Sequence, residues 1–298
     1  MSTSHSHAAP AAGAQRYFVP APSRFPVTVA CGLLLMILGA SQWVNDHPWG
    51  KWSLLLGVIV WLTTLKQWFG QAIHESETGQ YSKQVDISYR WSMSWFIFSE
   101  VMFFGSFFGA LFWARAVALP MLGNFDHQLL WPDFHAIWPS TQPGVTGSPA
   151  DTIAPFQTMS PWPIPTLNTA ILLSSGVTLT IAHHALIAEH RARALMWMWI
   201  TVVLGASFIS FQAYEYHHAY TEMNLRLSSG MYGSTFFMLT GFHGFHVFVG
   251  MLMLFFITLR IHRGHFTPQR HFGFEGAAWY WHFVDVVWLG LYAVVYWL

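Results

Sequence analysis

Charge is what this chain has least of. Only 9% of its 298 residues are Asp, Glu, Lys or Arg, against about 25% in a soluble domain. So few charges cannot cover a soluble protein of this length, and the chain reads as an integral membrane protein. Its 13 basic and 13 acidic residues cancel, which leaves no field to hold a polyanion and argues against nucleic-acid binding. The single cysteine, Cys31, excludes a disulfide within the chain and a cysteine-built zinc site. Met1–Gln15 lacks a charged segment leading into a short apolar core, so it does not resemble a signal peptide. Residues 1–25 read as a polar, disordered cytoplasmic tail.

What the chain does have is 54% hydrophobic residues, gathered in stretches of the roughly 20 residues that cross a bilayer. Seven spans are expected: Pro26–Val44, Ser53–Ile73, Met93–Ala116, Thr166–Ile187, Leu195–Tyr214, Met231–Thr258 and Gly276–Trp297. All should be helical, because hydrocarbon forces backbone groups to pair within the segment. The expected fold is an all-α membrane protein: a two-helix unit over 26–73, a cytoplasmic loop over 74–92, and a five-helix bundle over 93–298. A long outer loop over about 117–165 is rich in Pro, Gly, Trp and Asp, and its prolines disfavour a further helix. With the N-terminus inside, Arg16, Arg24, Lys66, Lys83, Arg90, Arg191, Arg193, Arg260, Arg263 and Arg270 are cytoplasmic, and only Lys51, Arg115 and Arg226 are outside. That asymmetry sets the orientation and puts the C-terminus on the outer face.

Several ionisable groups sit at membrane depth, where they are costly and usually functional or tightly partnered. Glu100 is about seven residues, or about 11 Å, into the third span. Its neighbours in sequence are apolar, and desolvation favours its protonated form. His282 and Asp285 share a face of the last span at i, i+3. His243 and His246 share one in the sixth, and His183 lies near the inner end of the fourth. The expected arrangement is a buried polar network of His183, His243, His246, His282 and Asp285. A proton path, a lipid site and simple helix-to-helix hydrogen bonding all remain open as its purpose. Haem ligation by His246 and His282 fits by depth alone, but His243 and His246 cannot flank one iron from opposite sides, and no metal site is expected in this chain. A stand-alone proton transporter using Glu100 and Asp285 would call for inverted repeats and broken helices, and neither is visible.

The motifs resemble subunit III of the haem–copper cytochrome c oxidases. Ser99-Glu100-Val101-Met102-Phe103-Phe104, Ala182-His183-His184 and Gln212-Ala213-Tyr214-Glu215-Tyr216 are similar to that family's third, fourth and fifth helices. Thr240-Gly241-Phe242-His243-Gly244-Phe245-His246 resembles its sixth. His271-Phe272-Gly273-Phe274-Glu275 with Ala278-Trp279-Tyr280-Trp281-His282-Phe283-Val284-Asp285 resembles its seventh. Quinol-oxidase relatives generally lack the first two helices, which are present here, and this favours the cytochrome c branch. The long outer loop suggests a bacterial inner-membrane protein.

The resemblance implies helices one and two on one side of a lipid-filled cleft and helices three to seven on the other. It implies no redox cofactor in this chain, with haems and copper held by partner subunits I and II and cytochrome c as electron donor. The implied roles are stabilising subunit I, binding phospholipid and supporting proton uptake. It places lipid contacts at Glu100, Arg260, Arg263 and His265, and a basic inner helix end suits phosphate headgroups. His190, His262 and His271 are candidates for a proton antenna, since imidazole titrates near about pH 6.5. Relatives often carry an arginine–acid pair at the inner end of the second helix. Here the stretch reads Trp68-Phe69-Gly70-Gln71, followed by Ile73-His74-Glu75, and Tyr81 stands where relatives place a histidine.

Overall fold

The structure, a computed structural model, describes residues 22–129, 136–139 and 156–297. The expected tail and much of the outer loop lie outside the described residues. Among the described residues, seven helices are long and apolar enough to cross a membrane. They are α1 (Phe25–Val44), α2 (Gly50–Glu77), α3 (Lys83–Trp113), α6 (Ile164–Ile187), α7 (Arg191–Thr221), α8 (Gly230–Arg263) and α9 (Phe272–Leu291). Two short helices, α4 (Leu119–Leu122) and α5 (Phe125–Gln128), follow α3.

Several helices outrun the apolar stretches that announce them. At 1.5 Å per residue the 34 residues of α8 reach about 51 Å, well beyond a hydrocarbon core of about 30 Å. Hydropathy marks only the part in lipid, whereas backbone hydrogen bonding carries the helix on into water. The expected loop over 74–92 is corrected for that reason: α2 runs to Glu77, α3 starts at Lys83, and only 78–82 join them. The start of the outer loop is corrected too, since α3 continues through a π-helical turn, Ala114–Ala118, into α4. Pro120, at the start of α4, has no N–H to give the continuing helix, and it stands just past the π-helical turn, where the regular pairing is already interrupted.

The chain divides into two compact units, with the boundary between Tyr89 and Arg90. In the first, α1 and α2 pack on glycines: Gly32 and Gly39 on one helix, Gly50 and Gly57 on the other, all buried. Each pair is seven residues apart and so lies on one helical stripe. A Cβ at Gly57 would fall 2.6 Å from the backbone nitrogen of Met36, so only glycine permits this approach. Ser53 adds a hydroxyl bond of 3.1 Å to the Leu35 carbonyl.

The second unit is built around α9, which packs against α6 and α8 while α7 packs on both of those. Two fully buried tryptophans of α9, Trp281 and Trp288, stand seven residues apart. Their indole N–H groups donate to Ser175 and Thr169 of α6, each at 2.9 Å. Trp281 also fills the space left by Gly205 of α7 and Gly250 of α8. One side chain thus touches three other helices.

Candidate functional site

Among the described residues, Glu100 and the five residues of the expected network fall into four groups. The first joins two helices. Glu100 of α3 brings Oε2 to 2.9 Å from Nε2 of His246 on α8, so the acid that lacks a partner in its own span finds one across the bundle. The other nitrogen of His246, Nδ1, lies 2.6 Å from the Phe242 carbonyl. A carbonyl can only accept, so Nδ1 carries a hydrogen and donates it. One proton is then left between Oε2 and Nε2. The pair is either acid and neutral imidazole or carboxylate and imidazolium. The rings of Phe103, Phe104 and Tyr280 surround it, with centroids 5.0 to 6.3 Å from that of His246.

His243 is fully buried and turns the other way. Its Nε2 donates to the Val284 carbonyl of α9 at 3.2 Å, and its ring lies 5.0 Å from that of Trp288. The third group is local to α9: His282 Nδ1 is 3.5 Å from Asp285 Oδ2. Asp285 is buried over Gly176 of α6, whereas His282 is half-exposed. The His246–His282 haem arrangement is not what the helices build, because both nitrogens of His246 are engaged by protein atoms.

His183 falls in the fourth group, near the C-terminal end of α6 and the N-terminal end of α9. Its ring packs on His271, 5.3 Å away, and on Phe274, 5.0 Å away. His271 Nε2 lies 3.3 Å from Glu275 Oε1, and Arg90 of α3 forms an ion pair with Glu275 Oε2. Neither Glu275 nor Arg90 stands out from sequence as a site residue. Their motif is legible; their meeting depends on where α3 passes.

A further acid, Glu215 of α7, is missed by the sequence reading. It is 1% exposed, and its Oε1 accepts a 2.6 Å bond from the Tyr296 hydroxyl. The expected fifth span stops at Tyr214, one residue short, whereas α7 continues to Thr221 and carries Glu215 inside the bundle.

Of the expected lipid residues, Glu100 belongs to the α3–α8 pair, whereas Arg260 and Arg263 stand at the C-terminal end of α8 and His265 just beyond it. Arg260 places its guanidinium 4.3 Å over the Phe266 ring. Arg263 and His262 are exposed, and His265 is half-buried. Gly264, at φ 82°, ends the helix in the left-handed conformation that glycine allows. Arg191 at the start of α7 donates to the carbonyls of Ile261 and His262, and so offsets the negative end of the α8 dipole. Leu186, Arg191, Ile261 and Phe266 help line a cavity of about 320 Å³ beside it. His190 is exposed, its Nδ1 2.6 Å from the Ala188 carbonyl.

Fold and site together define a multi-pass membrane protein of seven helices, with acids and imidazoles paired inside the bundle. The family model for cytochrome c oxidase subunit III matches residues 15–128 and 124–298. The chain is 40% identical to cytochrome c oxidase subunit 3 of Dugong dugon over 282 residues, which is 94% of this chain and 96% of that one. It is 41% identical to the subunit 3 of Latimeria chalumnae and of Squalus acanthias, each over 285 residues, 95% of this chain and 97% of the relative. The chain belongs to the cytochrome c oxidase subunit III family.

Proposed function

We propose that this chain is the non-redox subunit III of a proton-pumping cytochrome c oxidase, which reduces dioxygen to water with electrons from cytochrome c. Haems and copper belong to subunits I and II. This chain stabilises subunit I, holds structural phospholipid and supports proton uptake. The observation that carries the reading is the full-length family match, spanning both units. The geometry supports it. The ionisable groups at depth are tied to partners within the bundle, which suits a scaffold better than a conduit. Arg260, Arg263 and His265 gather at one helix end beside a cavity, which suits phosphate headgroups. On this reading the N-terminus and this helix end face the cytoplasm, which the distribution of basic residues supports, and the long outer loop favours a bacterial inner membrane.

The test is purification through a tag on this chain. The expected result is co-purification of haem- and copper-bearing subunits, and faster loss of oxidase activity per turnover once this chain is removed. A tagged chain that comes away without haem, or a depleted oxidase that survives turnover as long as the intact one, would refute the reading.

A further inference from the structure

We infer that His183, His271 and Glu275 form a binding site for an exchangeable divalent cation of the zinc type. One nitrogen from each imidazole and one oxygen of Glu275 all lie within 4.8 Å of one another. His271 and Glu275 are four residues apart at the start of α9, and their facing atoms are 3.3 Å apart. Zinc bonds of about 2.0–2.1 Å in a tetrahedron hold neighbouring donors about 3.4 Å apart. The α9 pair already has that spacing. His183 needs to close by at most about 1.4 Å, the difference between 4.8 Å and that tetrahedral edge.

The surrounding contacts prepare these atoms as ligands. His271 Nδ1 lies 3.2 Å from the Thr267 carbonyl, so it carries the hydrogen and Nε2 turns a lone pair toward the carboxylate. A lone pair facing a carboxylate oxygen needs a proton or a cation between them. His183 Nε2 is buried with no hydrogen-bond partner among the described residues, and Phe274 stacks on its ring at an interplanar angle of 26°. Arg90 takes the other oxygen of Glu275 and fixes the carboxylate plane. Two imidazoles and a carboxylate suit zinc and its neighbours rather than magnesium or calcium. The charged and titratable groups around the site are Arg90 from α3, His184 from α6 and Glu275 from α9. The positive charge of Arg90 weakens a cation's hold, which makes the ion exchangeable. The site stands on this chain's own geometry and does not depend on the oxidase reading.

The experiment uses the intact complex, stripped by a chelator and dialysed against Zn²⁺. The native complex should bind one more zinc than His183→Asn or His271→Asn complexes, or bind it at least tenfold more tightly. Because a variant could fail to assemble, the zinc taken up by the native complex is also read by X-ray absorption at the zinc edge, which should show two imidazole ligands among nitrogen and oxygen donors. Equal zinc uptake by native and variant complexes, or bound zinc without imidazole scattering, would overturn the site.

Discussion

Glu100 and His246 can be taken apart one side at a time, and the order of the losses tests whether they share a single proton. His246→Phe removes the imidazole that Glu100 meets across the bundle. A buried polar group stripped of its partner costs about 1–3 kcal/mol; one that stays charged costs about 3–5 kcal/mol. Glu100→Gln is gentler, because its amide can still donate to a neutral Nε2, and the loss should stay below about 1.5 kcal/mol. Glu100→Leu combined with His246→Phe leaves nothing unpaired. The double variant should therefore be more stable than His246→Phe alone, with a coupling of about 1–3 kcal/mol. For a chain of this size about 1 kcal/mol moves the melting midpoint by about 2–4 °C. His246→Phe should then melt about 2–12 °C below the native complex, with the double variant between them. The assay is the thermal midpoint of the purified complex at one fixed scan rate, since such unfolding is irreversible. Infrared difference spectra of native against Glu100→Gln give the proton's place. A protonated acid gives up a carbonyl band in that difference, and an ionised one gives up its carboxylate bands. A double variant that loses the sum of the losses of Glu100→Leu and His246→Phe measured singly would refute the argument.

Two further outcomes follow from other contacts. Gly205→Ala and Gly250→Ala each drive a Cβ to within about 3 Å of the buried Trp281 ring, at 2.8 and 2.9 Å; overpacking of this kind costs about 1–3 kcal/mol, so each should melt lower, and thermal midpoints unchanged from native would show that the ring is free to move. Tyr81, in the short link between α2 and α3, has its phenol held well above its usual pKa by burial first and then by hydrogen bonds with Tyr89 and Glu75. A raised pKa means that the folded form prefers the protonated phenol. Its contribution is whole below about pH 10 and fades as pH climbs past that value toward the folded one. Tyr81→Phe should flatten the loss of stability above about pH 10 in denaturant titrations, and an identical alkaline slope in both proteins would count against the placement of Tyr81.

The spans were readable because hydrocarbon leaves the backbone one solution, and composition alone reveals it. The pairings were not readable, because they depend on which helices are neighbours. Nothing around Glu100 in sequence points to a residue 146 positions away, yet that is where its partner stands. His243 and His246 show the same limit at short range. Positions i and i+3 share a face only within about 60°, and that is enough to send one imidazole to α9 and the other to α3. Glu215 was hidden by a different cause: hydropathy ends a span where polar residues begin, while a helix ends where its hydrogen bonds do. His271 and Glu275 stood in one motif, but their pairing was not read from it, and His183 and Arg90 come to them from other helices. In each case the ionisable groups at depth mark seams between helices. Apolar side chains face lipid and protein alike at little cost, so they do not choose neighbours. An acid or imidazole in hydrocarbon must, which makes these few residues the ones that specify the bundle.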